Sequence, residues 1–343
     1  MNKNRHIEQV VLAFWSSKDF VVKELRKIRL TNNSAEKFDA LRNLYACLSP
    51  RDVPESLMQE YRMHDGGYSL ASSVNHLIRQ KNALLNIGVK NLARGKNPKD
   101  KDRSFAKFFN VPVPENYGDT FCLENVPIIP ETIVKPYSGC AANGVFYINC
   151  NCEIFSVSSG KYYSSLCDGV SLEVAGKNKK ISFDRWVVER AILSDDGRIA
   201  RNLKVFTFYG KVGLFLETAF PFSAGGAVRK SAYDELGNVV KLRFKGAGLS
   251  SLGIPDQLRD YSNRISLASP VPFLRIDFLR GSNGLYLGEI TPHPGSIYKD
   301  GVMTPDLDVI LGKMFIDAEA RLFKDLLQGK SFDTYREIYE ATW

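Results

Sequence analysis

Three charged side chains in the last third of the sequence have types and spacing that could do chemistry together. In Phe273-Leu274-Arg275-Ile276-Asp277-Phe278-Leu279, strand alternation puts Arg275, Asp277 and Leu279 on one face. A second strand-like run, Leu285-Tyr286-Leu287-Gly288-Glu289-Ile290, follows Ser282-Asn283-Gly284. A hairpin there sets Glu289 opposite the Arg275/Asp277 end. Two carboxylates side by side in an apolar sheet are costly unless something cationic neutralises them. Such hard oxygen ligands suit Mg²⁺, which keeps waters and takes one or two carboxylates plus phosphates. The plainer alternative is an ion pair of Arg275 with Asp277 or Glu289.

Three upstream segments carry groups that suit a nucleotide. Val134-Lys135-Pro136-Tyr137-Ser138-Gly139-Cys140-Ala141-Ala142-Asn143-Gly144-Val145 delivers a lysine from a strand into a loop of small residues. Small residues let backbone N–H groups approach phosphate oxygens, and the lysine adds a point charge. The lysine precedes the glycines, so this is not the GxxxxGK[ST] loop, and a hairpin with a glycine-rich connection is the alternative. Trp186-Val187-Val188-Glu189-Arg190-Ala191-Ile192 reads as a strand offering backbone groups to an adenine edge, or as an edge strand with a salt bridge. Lys204 opens the run Val205-Phe206-Thr207-Phe208, as a phosphate-facing cation or a solvated strand end.

These segments need a scaffold, and the periodicities describe one. Ile7, Val10, Val11 and Phe14, then Phe38 to Leu48, then Ser72 to Ile87, keep helical spacing, so the first ninety residues are predicted helical. Residues 90–107 concentrate Lys90, Arg94, Lys96, Lys99, Lys101, Arg103 and Lys107, a solvated face or a phosphate contact. Val111-Pro112-Val113-Pro114 excludes helix interior. Beyond Ile128, β-branched and aromatic runs predict strands at Thr132–Val134, Val145–Asn149, Glu153–Val157, Trp186–Ala191, Val205–Tyr209, Val212–Glu217, Phe273–Leu279 and Leu285–Ile290. Helices are predicted at Pro255–Leu267 and Pro305–Leu327. Helices first, then mostly antiparallel strands, argue an α+β fold.

A chain of 343 residues has room for two domains at about 150 residues each. Its 46 basic against 38 acidic residues give a net charge of +8, which favours an anionic partner, whether nucleic acid, membrane surface, phosphate or polyanionic sugar, without choosing among them. Aromatic residues do not interleave with the first six basic residues of the 90–107 stretch as base stacking requires, and no nucleic acid is expected. No apolar run approaches the roughly 18 residues of a membrane span, and Val10–Trp15 is too short for a secretory signal. The expectation is a cytoplasmic protein without membrane insertion. Six cysteines without CxxC and four histidines without zinc spacing exclude a disulfide framework and a zinc site. Cys150 and Cys152 read as packed neighbours on one strand face.

Taken in order, the four segments resemble the ATP-grasp superfamily over roughly residues 100–325. The resemblance implies two mostly antiparallel-sheet subdomains sandwiching ATP, about 128–190 and 191–330, in a catalytic domain 96–330. A helical region 1–95 precedes it and a tail 331–343 follows. It also implies ATP and Mg²⁺, with Lys135, Ser138, Gly139 and Gly144 at the phosphates and Glu189, Arg190, Ala191 and Ile192 at adenine. Arg275 and Lys204 would be catalytic. Asp277, Glu289 and Thr291 would hold magnesium, Thr291 standing where asparagine is common. His293 and Gly295 of Thr291-Pro292-His293-Pro294-Gly295 would meet the substrate. Asp102-Arg103-Ser104-Phe105-Ala106-Lys107 resembles the family's Asp-Lys helix, with Lys101, Arg103 or Lys107 in the lysine's role.

The closing run is most similar to the branch associated with teichuronopeptide and surface-polysaccharide biosynthesis. The implied activity is an ATP-dependent carboxylate–amine ligase that works through an acylphosphate. It would join an amino acid to a uronic acid or peptide, a small-molecule or glycan-linked substrate. The alternatives are an ATP-grasp kinase acting on a sugar hydroxyl and a non-catalytic polyanion-binding protein.

Overall fold

Strand β1 (Thr132–Pro136) alternates buried and half-buried residues, so Thr132, Val134 and Pro136 face a core while Ile133 and Lys135 face the other way. It pairs antiparallel with β2 (Phe146–Ile148) on one side and β5 (Trp186–Arg190) on the other. With β3 (Ile154–Ser156) and β4 (Tyr162–Tyr163) they form a sheet in the order β4-β3-β2-β1-β5. Helix α2 (Leu166–Glu173) seals one face with Leu166 and Val170 against Val134, Phe146, Ile148, Trp186 and Val188. The opposite face carries Lys135 and Glu189.

This computed structural model describes residues 98–340, apart from 138–141, 174–184, 222–225, 227, 243–248, 250–251 and 299–301, together with scattered positions between 9 and 87. Most of the expected N-terminal helical stripes, and the loop residues Ser138 and Gly139, lie outside the described residues. The chain divides into two units, Met1–Lys90 with Ile297–Arg321, and Asn91–Ser296 with Leu322–Trp343. Among the described residues no helix is long and apolar enough to cross a membrane.

The second unit also holds a six-stranded antiparallel sheet. Its strands are β6 (Arg201–Thr207), β7 (Val212–Ala219), β8 (Arg229–Tyr233), β9 (Val239–Val240), β10 (Leu274–Gly281) and β11 (Gly284–Thr291), in the order β11-β10-β6-β7-β8-β9. Helix α3 (Asp256–Leu267) buries Leu258, Ser262 and Ile265 and stacks Tyr261 on Phe278 with ring centroids 6.4 Å apart. That contact fixes which face of the sheet is core. The other face carries Lys204, Arg275 and Asp277.

The predicted β10–β11 hairpin forms, with one departure that simple alternation does not contain. Phe278 pairs with Leu287 while its neighbour Asp277 pairs with Glu289, so Gly288 is an extra residue on β11. This β-bulge reverses the parity of the strand. Leu285 and Leu287 enter the core before it and Ile290 after it, so Glu289 and Thr291 turn to the polar face. Regular alternation would have sent Glu289 to the same side as Leu287. A Cβ on Gly288 would lie 3.3 Å from the Asp277 carbonyl oxygen, a contact tight enough to favour glycine.

Two other expectations change. Cys150 and Cys152 are exposed rather than packed. They sit in the turn after β2, where Asn149 Oδ1 captures the N–H groups of Asn151 and Glu153 and ends the strand. The expected tail contains helix α5 (Asp333–Tyr339), whose Tyr335 and Tyr339 are buried against Phe105 of α1 (Pro98–Phe108). The predicted long helix is present as α4 (Pro305–Leu327).

Candidate active site

One cation centre is built where α1 meets the five-stranded sheet. Lys99 and Arg103 are one helical turn apart and share a face of α1. The Glu189 side chain is only 5% exposed, and Lys135 and Arg103 each donate to its carboxylate. Arg103 also donates to the Pro114 carbonyl at 2.9 Å. Burial alone would raise the Glu189 carboxyl, but Lys135 and Arg103 outweigh it and hold its pKa below the usual range. Lys99 has the opposite outcome. Burial, reinforced by Lys135, pushes its amine down from 10.5 to about 8, with only a 3.5 Å contact to the Pro136 carbonyl.

The second centre is a row across three strands. Lys204 on β6, Asp277 on β10 and Glu289 on β11 are direct cross-strand partners, so their side chains stand together on the polar face. Lys204 donates to Asp277. Arg275 donates to the same carboxylate from Nε at 2.7 Å and Nη2 at 3.2 Å, and its Nη2 lies 3.6 Å from Glu289. Nη1 donates to the His293 carbonyl at 3.1 Å. Asp277 is nearly enclosed, its side chain 5% exposed, whereas that of Glu289 keeps 34%. Gly295, at φ +74°, completes the guanidinium's seat, since a Cβ there would fall 2.6 Å from Nη1.

Across both centres five cations, Lys99, Arg103, Lys135, Lys204 and Arg275, meet three carboxylates, Glu189, Asp277 and Glu289. The surplus is positive, as polyphosphate recognition requires. Asp277 and Glu289 are hard donors side by side, and Glu289 retains exposure. That fits a divalent ion sharing its shell with phosphates and water better than an all-protein cage. Among the described residues no group of three or more His, Cys, Asp or Glu side chains forms such a cage.

The structure redistributes several predicted site residues. Thr291 is on the polar face, and its hydroxyl accepts the His293 N–H at 3.2 Å. His293 reaches Arg275 through its backbone carbonyl. Gly144, at φ +70°, ends the described part of the small-residue loop. The Arg190 N–H donates at 2.8 Å to the Glu115 carbonyl of the segment that covers the β5 edge, and the Ala191 N–H donates at 2.8 Å to the Glu131 carbonyl just before β1. The Ile192 carbonyl accepts from Ala200 at 2.9 Å. Glu189 places its side chain in the first centre.

Among the three candidates for the family's helix lysine, Arg103 is the one directed into the site. Lys101 binds the Tyr339 carbonyl at 3.2 Å and Glu340 at 3.0 Å, and Lys107 is exposed. Sequence reading missed Lys99 as an individual, although its i, i+4 spacing to Arg103 was visible. Two residues before Lys204 on β6, the buried Asn202 Oδ1 has no hydrogen-bond partner among the described residues. A cleft of roughly 190 Å³, lined in part by Tyr147, Phe155, Arg198 and Arg201, contains none of the predicted site residues.

The chain resembles the solved ATP-grasp ligase PsnB at 12% identity over 63% of this chain and 59% of PsnB, with a TM-score of 0.33, so it spans under two thirds of that relative's length. It also resembles D-alanine–D-alanine ligase from Bacillus anthracis (16% identity, 71% of this chain, 76% of that one, TM-score 0.39). A third likeness is the D-cycloserine synthetase DcsG (14%, 72% and 80%, TM-score 0.37). No curated protein matches the chain significantly. The profile of the TupA-like ATP-grasp family matches residues 112–316, a span that holds every predicted site residue from Lys135 to Gly295. Since that match covers more than half of the sequence, the chain belongs to the TupA-like ATP-grasp family.

Proposed function

We propose that this ATP-grasp protein is an ATP-dependent carboxylate–amine ligase that makes an amide through an acylphosphate and releases ADP. The observation that carries the reading is the cross-strand row Lys204–Asp277–Glu289 with Arg275 locked onto it. Phosphoryl transfer needs alignment and charge stabilisation more than a protein nucleophile, and this row supplies both. Lys99, Arg103 and Lys135 neutralise phosphate oxygens from the other centre, and the Asn202 carbonyl oxygen suits a ligand hydroxyl.

In the first step a substrate carboxylate oxygen bonds to the γ-phosphorus as the bond to the β,γ-bridging oxygen breaks and ADP leaves. In the second, an amine bonds to the acyl carbon, phosphate departs with the shared oxygen, and the nitrogen loses a proton. Arg275 is held by Asp277, the His293 carbonyl and the space at Gly295, so its guanidinium is set before charge develops on the transferring group and on the tetrahedral oxyanion. Asp277 and Glu289 would hold Mg²⁺, which when bound would neutralise charge on the nucleotide phosphates. Thr291 stands at the edge of that donor pair.

The substrates we assign are an amino acid and a uronic acid or peptide bound for surface polysaccharide. The TupA-like family match supports that branch, and the net charge of +8 suits an acidic glycan-linked substrate. Hydroxylamine tests the chemistry. With ATP, Mg²⁺ and the acid substrate, an acylphosphate is trapped as a hydroxamate in step with ADP release. ADP release with phosphorylated hydroxyl product and no hydroxamate overturns the ligase reading in favour of a kinase.

A further inference from the structure

Asp102 is the buried charged group of α1 that the reaction above leaves unused, and its surroundings are specific. The residue is 2% exposed. Its Oδ2 accepts the Ile290 N–H at 3.0 Å, and its Oδ1 accepts the Tyr339 hydroxyl at 2.7 Å. Ile290 directly follows Glu289, and Arg103 directly follows Asp102. One carboxylate therefore joins the helix that carries Lys99 and Arg103 to the strand that carries Glu289, with α5 as the third member.

The need for such a tie follows from the sheet order. Strand β11 lies at the edge of its sheet, so some of its N–H groups point outward and require partners. The Pro112 carbonyl takes the Leu287 N–H at 2.7 Å, and Asp102 takes that of Ile290. The Ile290 N–H and the Tyr339 hydroxyl both donate to this carboxylate, so each of its oxygens ties down a different element. Tyr339 is itself fixed, stacked on Tyr335 at 4.4 Å and set edge-on to Phe105 at 5.5 Å. Lys101 adds a bond to the Tyr339 carbonyl from the same helix. Burial together with the Asp102 charge raises the phenol well above its ordinary pKa, so it remains a donor.

We propose that Asp102 is a positioning residue, which, held by Tyr339, locks the Lys99/Arg103 face of α1 to the Glu289 segment of β11 so that nucleotide phosphates meet both centres in one frame. The proposal rests on the nucleotide reading of those centres. The lock acts on where the cations stand and adds no group to the reaction.

The test uses the full chain and Mg²⁺-ADP as the probe, titrated calorimetrically. Tyr339→Phe keeps the stacked ring and removes one donor; Asp102→Asn keeps the volume and removes the charge that both donors reach. Each is expected to weaken Mg²⁺-ADP binding about tenfold and to raise KM for ATP more than it lowers kcat. In a Lys99→Met background Tyr339→Phe should weaken binding by a smaller factor than in the wild type, because part of the lock's effect passes through Lys99. A loss that only loosens the fold would add fully in the double variant. Full additivity, or a folded Tyr339→Phe protein that binds like wild type, overturns the positioning role while leaving the nucleotide reading intact. Wild-type protein that binds no Mg²⁺-ADP overturns both. Should Asp102→Asn not fold, Tyr339→Phe alone decides the outcome.

Discussion

The two charge centres are built alike and differ in what is left over. Each has a nearly buried carboxylate gripped by two cations, Glu189 by Lys135 and Arg103, Asp277 by Lys204 and Arg275. At both centres the cations reach both oxygens of that carboxylate. At the second, a further carboxylate stands beside the pair and keeps 34% of its side chain exposed. The first arrangement holds cations still; the second holds cations still and also keeps a hard oxygen donor in reserve. What separates the two centres is the second, partly exposed carboxylate beside the buried one, which gives the second centre a donor that its cations do not cover.

Glu189→Gln should break this comparison most visibly. Removing one member of a buried charge cluster costs about 3–5 kcal/mol, so denaturant unfolding should show a loss of that size. Glu289→Gln, at the more exposed position, should change stability little. The acid limb of the stability curve carries the same signature. The Glu189 pKa is held below 4.5 in the folded protein, so the unfolded chain binds more protons in acid. Its contribution is present above about 4.5 and is lost as pH falls through the lower, folded value. Glu189→Gln should flatten that limb.

Next in size, Arg275→Ala and Glu289→Ala should each cut kcat by roughly a hundred- to a thousandfold, about 2.7–4 kcal/mol of barrier. Both should keep a cooperative unfolding transition. Full activity in either would remove the second centre from the reaction.

A smaller effect sharpens the role of Lys99. Its amine titrates near 8 in the free protein, and an adjacent phosphate should restore it toward 10.5. Nucleotide binding should then take up a proton between about pH 8 and 10.5, and affinity should fall as pH rises through that window. Calorimetry in buffers of different ionisation enthalpy reads the uptake, which Lys99→Met should abolish. Without nucleotide the sign reverses: the unfolded chain keeps the proton that the folded one loses, so this group adds stability as pH rises from 8 to 10.5.

Smallest of all, Lys107→Ala should leave nucleotide affinity within about twofold and stability within about 0.5 kcal/mol, since its side chain is exposed and makes no contact in either charge centre. A large loss at Lys107 would reassign the helix face.

Much of this site could be read along the chain because its parts are local. Arg275 and Asp277 share a face by alternation, the Ser282–Gly284 turn returns the chain beside them, and Lys135 leads into a small-residue loop within a few residues. Lys204 was nameable too, but its contact with Asp277 depends on β6 and β10 pairing across 73 residues. Helix α5 escaped notice because seven residues carry too short a stripe to stand out; its burial comes from Phe105, far away in sequence.

The sequence by itself determined the residue types, the strands that present them and the order of the four segments, since alternation and turn chemistry act over neighbouring residues. Tertiary structure decided which acid is spent and which is spared. It turned Glu289 to the polar face through the Gly288 bulge, closed Glu189 between Lys135 and Arg103, and placed Asp102 where α1, α5 and β11 converge. Those outcomes depend on register and burial. Both arise when distant segments compete for the same hydrogen bonds and the same dry space, and no local pattern records how that competition ends.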